Sequence, residues 1–321
     1  MKIGVLTSGG DAPAMNAAIR AITRVGIHRN CEVHGIFGGF QGILDPQIHE
    51  LNSRSVSRIL HRGGTILTTG RCEEFKTEAG LKKAAKVLSD RGFDALIAIG
   101  GDGTMRGLDA LSQHWDGWMI GLPGTIDNDL YGTDYTIGFD TAVNNALGAL
   151  DKIRDTAEAF QRVFLVEVMG RHAGFIAFHV GIATGASAIL MPETTTTIEE
   201  LAQKVEAAKE RAKSSVLVVV AEGDELGNAT TIGKALSGRI KEECRVSVLG
   251  YIQRGGNPTH FDRLLATRLG AFAIECLLSG KHGGMVGEVN GTPLMTPFKE
   301  TWMNKKPLDQ WMMGLLDELS S

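Results

Sequence analysis

The sequence predicts an α/β protein with a largely parallel sheet and about two domains. Short apolar runs recur along the chain, helical segments separate many of them, and nearly every run ends in Gly, Asp, Glu or Arg. Continuous apolar runs are typical of strands covered on both faces, and strand–helix alternation gives parallel sheets with right-handed crossovers. A chain of 321 residues with 43% hydrophobic content is long enough to bury two medium cores.

The predicted strands are eight β-branched or apolar runs, at 2–7, 32–37, 94–100, 118–123, 162–169, 187–191, 215–221 and 245–252. The clearest helix is predicted over about 197–213, where Thr197 and Glu200 have the spacing of a capping box. No low-complexity tract, Pro/Ser-rich linker or fixed-period repeat is apparent. Length alone suggests a domain boundary near residue 140.

Composition excludes several classes of protein. A net charge of −4 disfavours a general nucleic-acid or membrane binder, so an anionic ligand must be held by local Arg or Lys residues. The longest apolar run, at 216–221, has six residues and is too short to span a bilayer, and no signal peptide is evident. The cysteines are scattered and form no disulfide framework or zinc motif, so we expect a cytoplasmic protein; they are Cys31, Cys72, Cys244 and Cys276.

Two glycine-rich turns follow predicted strands. The turn SGGD at 8–11 precedes a helix-like run, so its amides could bind a phosphate, although a tight strand-to-helix turn explains it equally well. In GGDGT, at 100–104, Asp102 would repel a phosphate unless a divalent cation lay between them, and Mg²⁺ suits that arrangement. Neither turn is a Walker A or G-x-G-x-x-G motif, which disfavours a dinucleotide-dependent dehydrogenase.

Five arginines stand at or near strand ends. A single arginine is usually a solvated surface residue, but several beside glycine-rich turns suit bidentate phosphate recognition. They are Arg71, Arg162, Arg171, Arg245 and Arg254.

The segment PGTIDND, at 123–129, is the third notable strand end. Its residue types are ordinary turn formers. Phosphoryl transfer to a hydroxyl, however, requires a carboxylate that accepts the proton. Thr125, Asp127 and Asp129 beside GGDGT therefore predict an Mg²⁺-assisted phosphoryl transferase, without indicating its substrate.

The ordered motifs closely resemble those of the 6-phosphofructokinase family along essentially the whole chain. They are LTSGGDAPAMNAAIR (6–20), GGT-x₅-R (63–71), IGGDGT (99–104), LPGTIDNDLYGTDYTIGFDTA (122–142), QR (161–162), VEVMGRHAG (166–174), AEG (221–223) and LGYIQRGGNPTHFDR (249–263). GGDGT alone is weak evidence for this family, since NAD kinases and lipid kinases also carry it.

The resemblance implies transfer of a phosphoryl group from ATP to the 1-hydroxyl of fructose 6-phosphate, with Mg²⁺ as cofactor, in glycolysis. It implies two similar Rossmann-like domains with the active site in the cleft between them. The nucleotide-binding domain would comprise 1–139 and about 251–300. The sugar-phosphate-binding domain would comprise 140–250 and a C-terminal helix at about 301–321.

The resemblance also assigns roles to individual residues. Asp127 is the expected base, with Asp129 in support, and Asp102 is the expected magnesium ligand. On the nucleotide side it implies Gly10, Arg71, Cys72, Gly101, Asp102, Gly103 and Thr104, with Arg71 stabilising the transferring phosphoryl group. On the sugar-phosphate side it implies Thr125, Asp127, Met169, Gly170, Arg171, Glu222, Tyr251 and Arg254, with Arg162 and Arg245 from a neighbouring subunit of a homotetramer.

The donor is expected to be ATP. Pyrophosphate-dependent members typically carry Asp at the position of Gly103 and Lys at the position of Gly124, which would restrict or recharge the donor pocket. A pyrophosphate-dependent phosphofructokinase and a non-catalytic sugar-phosphate-binding regulator are the alternatives. The regulator is disfavoured because the chain retains Asp102, Asp127, Arg71 and Arg171.

Some positions depart from the family pattern. Tyr251 replaces a common His beside the 6-phosphate, and Ala14 replaces a Gly in the first loop. A basic site for an anionic effector is predicted from Arg20, Arg24, Arg154, Arg211 and Lys213. Allosteric activation by ADP is not assumed there, because commonly charged family positions are occupied by Ser53, Arg58, Ser187 and Ser215.

Overall fold

The computed structural model describes residues 1–211 and 215–320. They form two compact units. Unit 1 comprises Met1–Ile126, Leu130–Thr141 and Arg254–Lys306. Unit 2 comprises Asp127–Asp129, Ala142–Gln253 and the chain from Pro307 onward.

The strands, in chain order, are β1 (Lys2–Thr7), β2 (Glu32–Ile36), β3 (Ile48–Glu50), β4 (Ala95–Gly100), β5 (Trp118–Pro123), β6 (Val163–Val168), β7 (Ala188–Leu190), β8 (Val216–Ala221), β9 (Arg245–Val248), β10 (Gly284–Val289) and β11 (Thr292–Pro297). The α-helices are α1 (Met15–His28), α2 (Gln41–Leu44), α3 (Glu78–Asp90), α4 (Asp102–Leu111), α5 (Phe139–Phe160), α6 (Phe175–Thr184), α7 (Ile198–Glu210), α8 (Ala229–Ile240), α9 (His260–Leu278), α10 (Glu300–Met303), α11 (Gln310–Gly314) and α12 (Leu316–Ser320).

All eight predicted strands are confirmed, with small changes at their ends. The last was predicted too long: residues 250–254 form a 3-10 helix, and Gly250 has a φ of +53°, which no strand allows. Three strands were missed, namely β3, β10 and β11. β3 has only three residues, and β11 contains Pro293 and Pro297, which are tolerated because this strand lies at the sheet edge.

Unit 1 contains a seven-stranded sheet in the order β11-β10-β5-β4-β1-β2-β3. The five inner strands are parallel, and the edge strands β3 and β11 pair antiparallel. The chain passes from β1 to β2 on one side and from β4 to β5 on the other, so strand order reverses between β1 and β4. In such sheets ligands bind outside the carboxyl ends of the strands at this switch point.

Unit 2 contains a four-stranded parallel sheet in the order β7-β8-β6-β9. Its core is formed by β6, β7, β8 and the helices α7 and α8, with Leu165, Val218 and Leu236 fully buried. Both units therefore confirm the predicted fold class, a largely parallel sheet covered by helices.

The capping box is confirmed at the start of α7. Thr197 Oγ1 accepts a hydrogen bond from the Glu200 amide (3.2 Å), and Glu200 Oε2 accepts one from the Thr197 amide (2.7 Å). The hydrogen bonds from Thr197 also lower the pKa of Glu200.

The C-terminal segment predicted as one helix instead forms the short helices α10, α11 and α12. Pro307 lies between the first two, and Gly314 ends the second; both residue types interrupt helices. Within the described ranges, no helix is long and apolar enough to cross a membrane.

Candidate active site

The carboxyl ends of β1, β4 and β5 bring three predicted loops together in unit 1. Thr7 lies opposite Ile99 in the sheet, and Gly100 lies opposite Pro123. Just beyond the strands, the Ser8 amide donates to the Ile99 carbonyl and the Gly124 amide to the Gly100 carbonyl, each at 3.0 Å. SGGD, GGDGT and the start of PGTIDND therefore lie side by side.

These loops approach so closely that glycine is required. A Cβ at Gly100 would lie 2.2 Å from Thr104 Oγ1 and 2.5 Å from the Ser8 carbonyl oxygen. Ala14, which replaces the usual glycine, has a φ of +71° and is fully buried. This conformation is costly for a residue with a Cβ.

The GGDGT loop leads into α4. Gly101 is its N-cap and provides no side-chain hydrogen bond, and Asp102 lies in its first turn. The Asp102 carboxylate accepts hydrogen bonds from Arg106 Nε at 2.9 and 3.1 Å. No atom lies within 4 Å of a Cβ built at Gly103, so open space adjoins the amino end of this helix. Such an end attracts anions because its first amides have no intrahelical acceptor.

Arg71 and Cys72 follow a segment that is attached to the first loop. Thr7 Oγ1 donates to the Thr68 carbonyl (2.8 Å), and the Gly9 amide to the Gly70 carbonyl (3.5 Å). Arg71 is exposed, and the buried Cys72 thiol donates to the Gln41 side chain at 3.1 Å. Arg71 thus directly follows a segment that is bonded to the first glycine loop, and Cys72 has an ordinary structural environment.

The side chain of Arg254 packs against the first glycine-rich loop, SGGD, of the same unit. A Cβ at Gly10 would be 2.0 Å from Arg254 Nη1, so a larger residue there would require the guanidinium to move. Nη1 lies 3.8 Å from an Asp11 carboxylate oxygen, and the buried Nε has no hydrogen-bond partner among the residues that the structure describes. Arg254 and Gly10, which the sequence assigned to opposite substrates, are therefore neighbours.

In unit 2 the segments MGR and AEG meet at the ends of β6 and β8. The Arg171 amide donates to Glu222 Oε1 at 2.7 Å. Gly170 has a φ of +146° and Arg171 a φ of +54°. A Cβ at Gly223 would be 1.9 Å from the Arg171 carbonyl oxygen, so the two turns pack backbone against backbone. Strained conformations of this kind cluster at functional sites.

Gln253 is a further residue of this region that was not predicted from the sequence. It is fully buried, and its Oε1 accepts a hydrogen bond from the Met169 amide at 3.3 Å. Asn145 donates in turn to the Gln253 carbonyl at 3.4 Å. Gln253 thus links MGR to the QRGG segment. In the sequence, its only signal was its position directly before the predicted ligand Arg254.

PGTIDND follows β5 as a compact turn. Asp127 is only 5% exposed, Asp129 is partly buried, and Asn128 has a φ of +55°. The Thr125 carbonyl accepts a hydrogen bond from Thr136 Oγ1 at 2.6 Å. Asp134 is tied elsewhere, since its Oδ2 accepts from the Asn290 amide at the β10–β11 turn (2.6 Å).

Three sugar-phosphate candidates lie on the surface of unit 2. Arg162 is exposed and stacks over the Phe160 ring at 5.0 Å. Arg245 pairs with Glu243 at 2.8 Å, with 42% of its side chain exposed. Tyr251 is 82% exposed. Within each unit, none of these residues is buried in a pocket of the described chain.

The effector candidates fall into two groups. In unit 1, Arg20 and Arg24 lie one turn apart on α1, and burial, followed by repulsion from Arg24, lowers the pKa of Arg20. In unit 2, Arg154 donates to the Thr184 carbonyl, and Arg211 is exposed. Lys213 lies outside the described residues.

The substituted effector positions differ in exposure. Ser187 and Ser215 are buried, at 5% and 8% exposure, whereas Ser53 and Arg58 are exposed. Across 1–211 and 215–320, no group of three or more His, Cys, Asp or Glu side chains could hold a metal ion.

The two sheets, with glycine-rich loops and arginines at their strand ends, define an α/β protein of the phosphate-ligand-binding class. A family model described as phosphofructokinase matches residues 2–277. The chain is 51% identical over 319 residues to "ATP-dependent 6-phosphofructokinase 1" of Thermus thermophilus, covering 99% of both chains. It is 48% identical over 320 residues to the ATP-dependent enzyme of Bacillus subtilis, again covering 99% of both. The chain belongs to the phosphofructokinase family.

Solved structures agree with this assignment. Phosphofructokinase from Saccharomyces cerevisiae matches with a TM-score of 0.88 and 34% identity, over 93% of this chain and 45% of that longer chain. A pyrophosphate-dependent phosphofructokinase from Marinobacter aquaeolei has a TM-score of 0.86 at 22% identity, over 100% of this chain and 92% of that one. The latter similarity shows the fold alone.

Proposed function

We propose that this chain catalyses Mg²⁺-assisted transfer of the γ-phosphoryl group of ATP to the 1-hydroxyl of fructose 6-phosphate, giving fructose 1,6-bisphosphate and ADP in glycolysis. The observation that carries this proposal is the 51% identity, over 99% of both chains, to a relative named as an ATP-dependent 6-phosphofructokinase. The meeting of SGGD, GGDGT and PGT at one sheet edge supports it.

Asp127 is the proposed general base. It accepts the proton of the 1-hydroxyl as the hydroxyl oxygen attacks the γ-phosphorus and the bond to the ADP oxygen breaks. Its burial, at 5% exposure, limits competition from water for that proton. Asp129 and Thr125, in the same turn, support the base and orient the sugar.

Asp102 is the proposed magnesium ligand. Its carboxylate is a hard oxygen donor, 36% exposed, in the first turn of α4, and Mg²⁺ usually takes one or two carboxylates together with phosphate oxygens. These residues therefore fit the ion. When bound, Mg²⁺ would neutralise negative charge on the phosphates of the donor. The chain supplies the amides of Gly101 and Gly103, and Arg71 stabilises the transferring group. Thr104 holds the loop in place, because its amide donates to the Gly101 carbonyl (2.9 Å) and its hydroxyl to the Ser8 carbonyl (3.3 Å).

The sugar phosphate is assigned to MGR, Glu222, Tyr251 and Arg254, and Arg162 and Arg245 of a neighbouring subunit would complete this site in a homotetramer. The exposure of both arginines in the single chain supports this assignment. The nucleotide candidates all lie in unit 1, whereas MGR, Glu222 and Tyr251 lie in unit 2. An anionic effector, bound by the basic residues predicted for it in the sequence, and a cytoplasmic location complete the proposal.

ATP is preferred over pyrophosphate as the donor. A side chain at Gly124 would meet Ile99 Cγ2 at 2.7 Å and the Gly100 amide at 3.2 Å, which disfavours the lysine typical of pyrophosphate-dependent relatives. Open space at Gly103 leaves room for a larger donor.

The decisive experiment is a coupled assay with fructose 6-phosphate and Mg²⁺, with ATP or pyrophosphate as the donor, and with ADP or phosphoenolpyruvate added in turn. Turnover with ATP supports the proposal; turnover with pyrophosphate alone supports the pyrophosphate-dependent enzyme. Binding of both substrates without turnover would support the non-catalytic regulator.

Asp127→Asn tests the base. We expect kcat to fall roughly 10²–10⁴-fold with a much smaller change in KM, because only the transition state needs the proton acceptor. Asp134→Asn is the matched control, since Asp134 binds the β10–β11 turn instead, and its kcat should stay near wild type. Normal turnover of Asp127→Asn would reject Asp127 as the base.

A further inference from the structure

Asp262 is a fully buried carboxylate in the first turn of α9. Its Oδ1 accepts a hydrogen bond from the Gly138 amide at 2.9 Å, and its Oδ2 accepts one from the Thr141 amide at 2.8 Å. The Thr141 hydroxyl also donates to Oδ2. Three donors from one segment thus converge on this side chain, and none of the roles described above uses it.

These donors belong to the start of α5. Gly138 directly precedes the helix, and Thr141 is its third residue. Asp262 therefore caps α5 from a distant part of the chain. It also lies three residues after Thr259, the N-cap of its own helix, whose hydroxyl accepts from the Asp262 amide at 3.3 Å. One carboxylate thus lies at two helix N-termini, where negative charge is favoured.

The capped segment is the return stretch of the loop that carries PGTIDND. The Ile137 amide donates to the Pro123 carbonyl at 2.8 Å, so the end of the loop is tied to its beginning. Gly138 has a φ of +103°, and a Cβ there would lie 2.7 Å from Ala12 Cβ of the first glycine-rich loop. Asp127 lies in the chain between these two anchored ends.

The other partner is the segment that follows Arg254. The Thr259 amide donates to Thr141 Oγ1 at 3.1 Å, and Arg263 Nε donates to the Pro258 carbonyl at 2.7 Å. The turn after Arg254 is therefore fixed by the same cluster that caps α5. The Asp262 cluster, defined here as Gly138, Thr141, Thr259 and Asp262, connects two segments assigned to substrates.

We propose that Asp262 is a positioning residue for the phosphoryl transfer: by capping α5 it anchors the return stretch of the loop that carries Asp127 to the segment that follows Arg254. This inference rests on the proposed function. Small displacements of a reacting group from its productive geometry cost large factors in rate, so the effect should appear in kcat.

A carboxylate suits this position better than an amide. All three partners donate a hydrogen bond, and an ionised carboxylate has acceptors on both oxygens. In Asp262→Asn the side-chain NH₂ must face an N–H or O–H donor, so at least one bond is lost while shape is retained. Thr141→Val is milder, because it removes the hydroxyl and keeps both backbone amides on Asp262.

The experiment combines kinetics with hydrogen exchange on the full-length protein. For Asp262→Asn we expect kcat to fall about 10- to 100-fold, with KM for both substrates within about threefold. Amides at 137–141 should exchange faster, while those of α3 keep their wild-type protection. For Thr141→Val we expect a smaller loss of kcat in the same direction.

Leu88→Ala is the control for general destabilisation, because Leu88 is fully buried on α3, away from the cluster. Its kcat should remain near wild type at a temperature where it is folded. If Asp262→Asn does not fold, the kcat and amide exchange of Thr141→Val test the proposal instead.

A kcat within twofold of wild type in the folded variants overturns the inference. It is also overturned if the amides of α3 exchange faster than in the wild type by the same factor as those at 137–141. Absence of turnover in the wild type instead rejects the proposed function itself. An active wild type with unchanged exchange in both cluster variants rejects only the role of Asp262.

Discussion

Gly103 and Gly124, at two strand ends of unit 1, differ in the space around them, although both had the same interpretation from the sequence. Gly124 is enclosed by Ile99, Met15 and the Gly100 backbone, whereas a Cβ at Gly103 meets nothing within 4 Å. A motif reports that glycine is present, but only the packing shows whether the reason is steric crowding or access for a ligand.

Alanine at these two positions should therefore have opposite effects. Gly124→Ala should lower the free energy of unfolding by about 1–3 kcal/mol through overpacking. Gly103→Ala should leave it unchanged or raise it by up to about 1 kcal/mol, because Gly103 is helical, and should raise KM for ATP. Denaturant unfolding and donor titrations measure both quantities. Equal losses of stability would contradict the packing argument.

Asp262 makes stability depend on pH. Burial raises its pKa to about 6, against the opposing effect of hydrogen bonds from Thr141 and Gly138, and Asp140 adds to the increase. Between about pH 4 and 6 the folded protein then binds more protons than the unfolded chain, so its free energy of unfolding falls as pH rises through this window.

Denaturant unfolding of the wild type and of Asp262→Asn across pH 4–7 measures this dependence. The wild-type slope between pH 4 and 6 should be reduced in the variant, because the titrating group is gone. Superimposable slopes would show that other carboxyl groups set the pH dependence.

At the scale of elements, apolar runs and a capping motif were sufficient to predict strands and a helix start, because both signals lie in the local sequence. The eight apolar runs form strands, and the capping box of α7 is present as predicted. The missed elements β10 and β11 contain glycine or proline and owe their pairing to a sheet edge that is distant in sequence. The N-cap of α5 was also invisible, because Asp262 supplies it from more than 120 residues away.

Loss of the α7 capping box should be measurable in isolation. Thr197→Ala should lower the free energy of unfolding by about 1 kcal/mol and leave kcat unchanged, since α7 carries none of the proposed catalytic residues. Thr195→Ala, an exposed residue of the preceding loop, serves as the control. A loss of equal size in both variants would assign the effect to the loop and not to the cap.

At the scale of the whole molecule, we propose that the site is completed by a second copy of the chain. The net charge is −4, so phosphates must be held by local arginines, and Arg162 and Arg245 lie at the surface of unit 2. An arginine supplied by a neighbour becomes desolvated and correctly oriented only on assembly.

Mixed oligomers test this sharing. Arg162→Ala and Asp127→Asn should each be nearly inactive alone. After co-refolding, activity should recover in about a quarter of the sites, where an intact Asp127 meets an intact Arg162 from another subunit. Asp127→Asn mixed with Arg171→Ala is the matched control, because both residues are assigned to one chain, and it should recover nothing. Equal recovery in the two mixtures would contradict the shared site.

The sequence by itself determined the fold class, the family and the candidate residues, because these depend on local apolar runs and on motifs that are read one segment at a time. Only the tertiary structure brought Arg254 onto Gly10, Gln253 onto Met169 and Asp262 onto the start of α5. The loop that begins with PGTIDND is bonded to Gly100 at its start and to Asp262 where it returns to α5. Contacts between residues far apart in the chain depend on how the sheets order their strands, and no local pattern encodes that order.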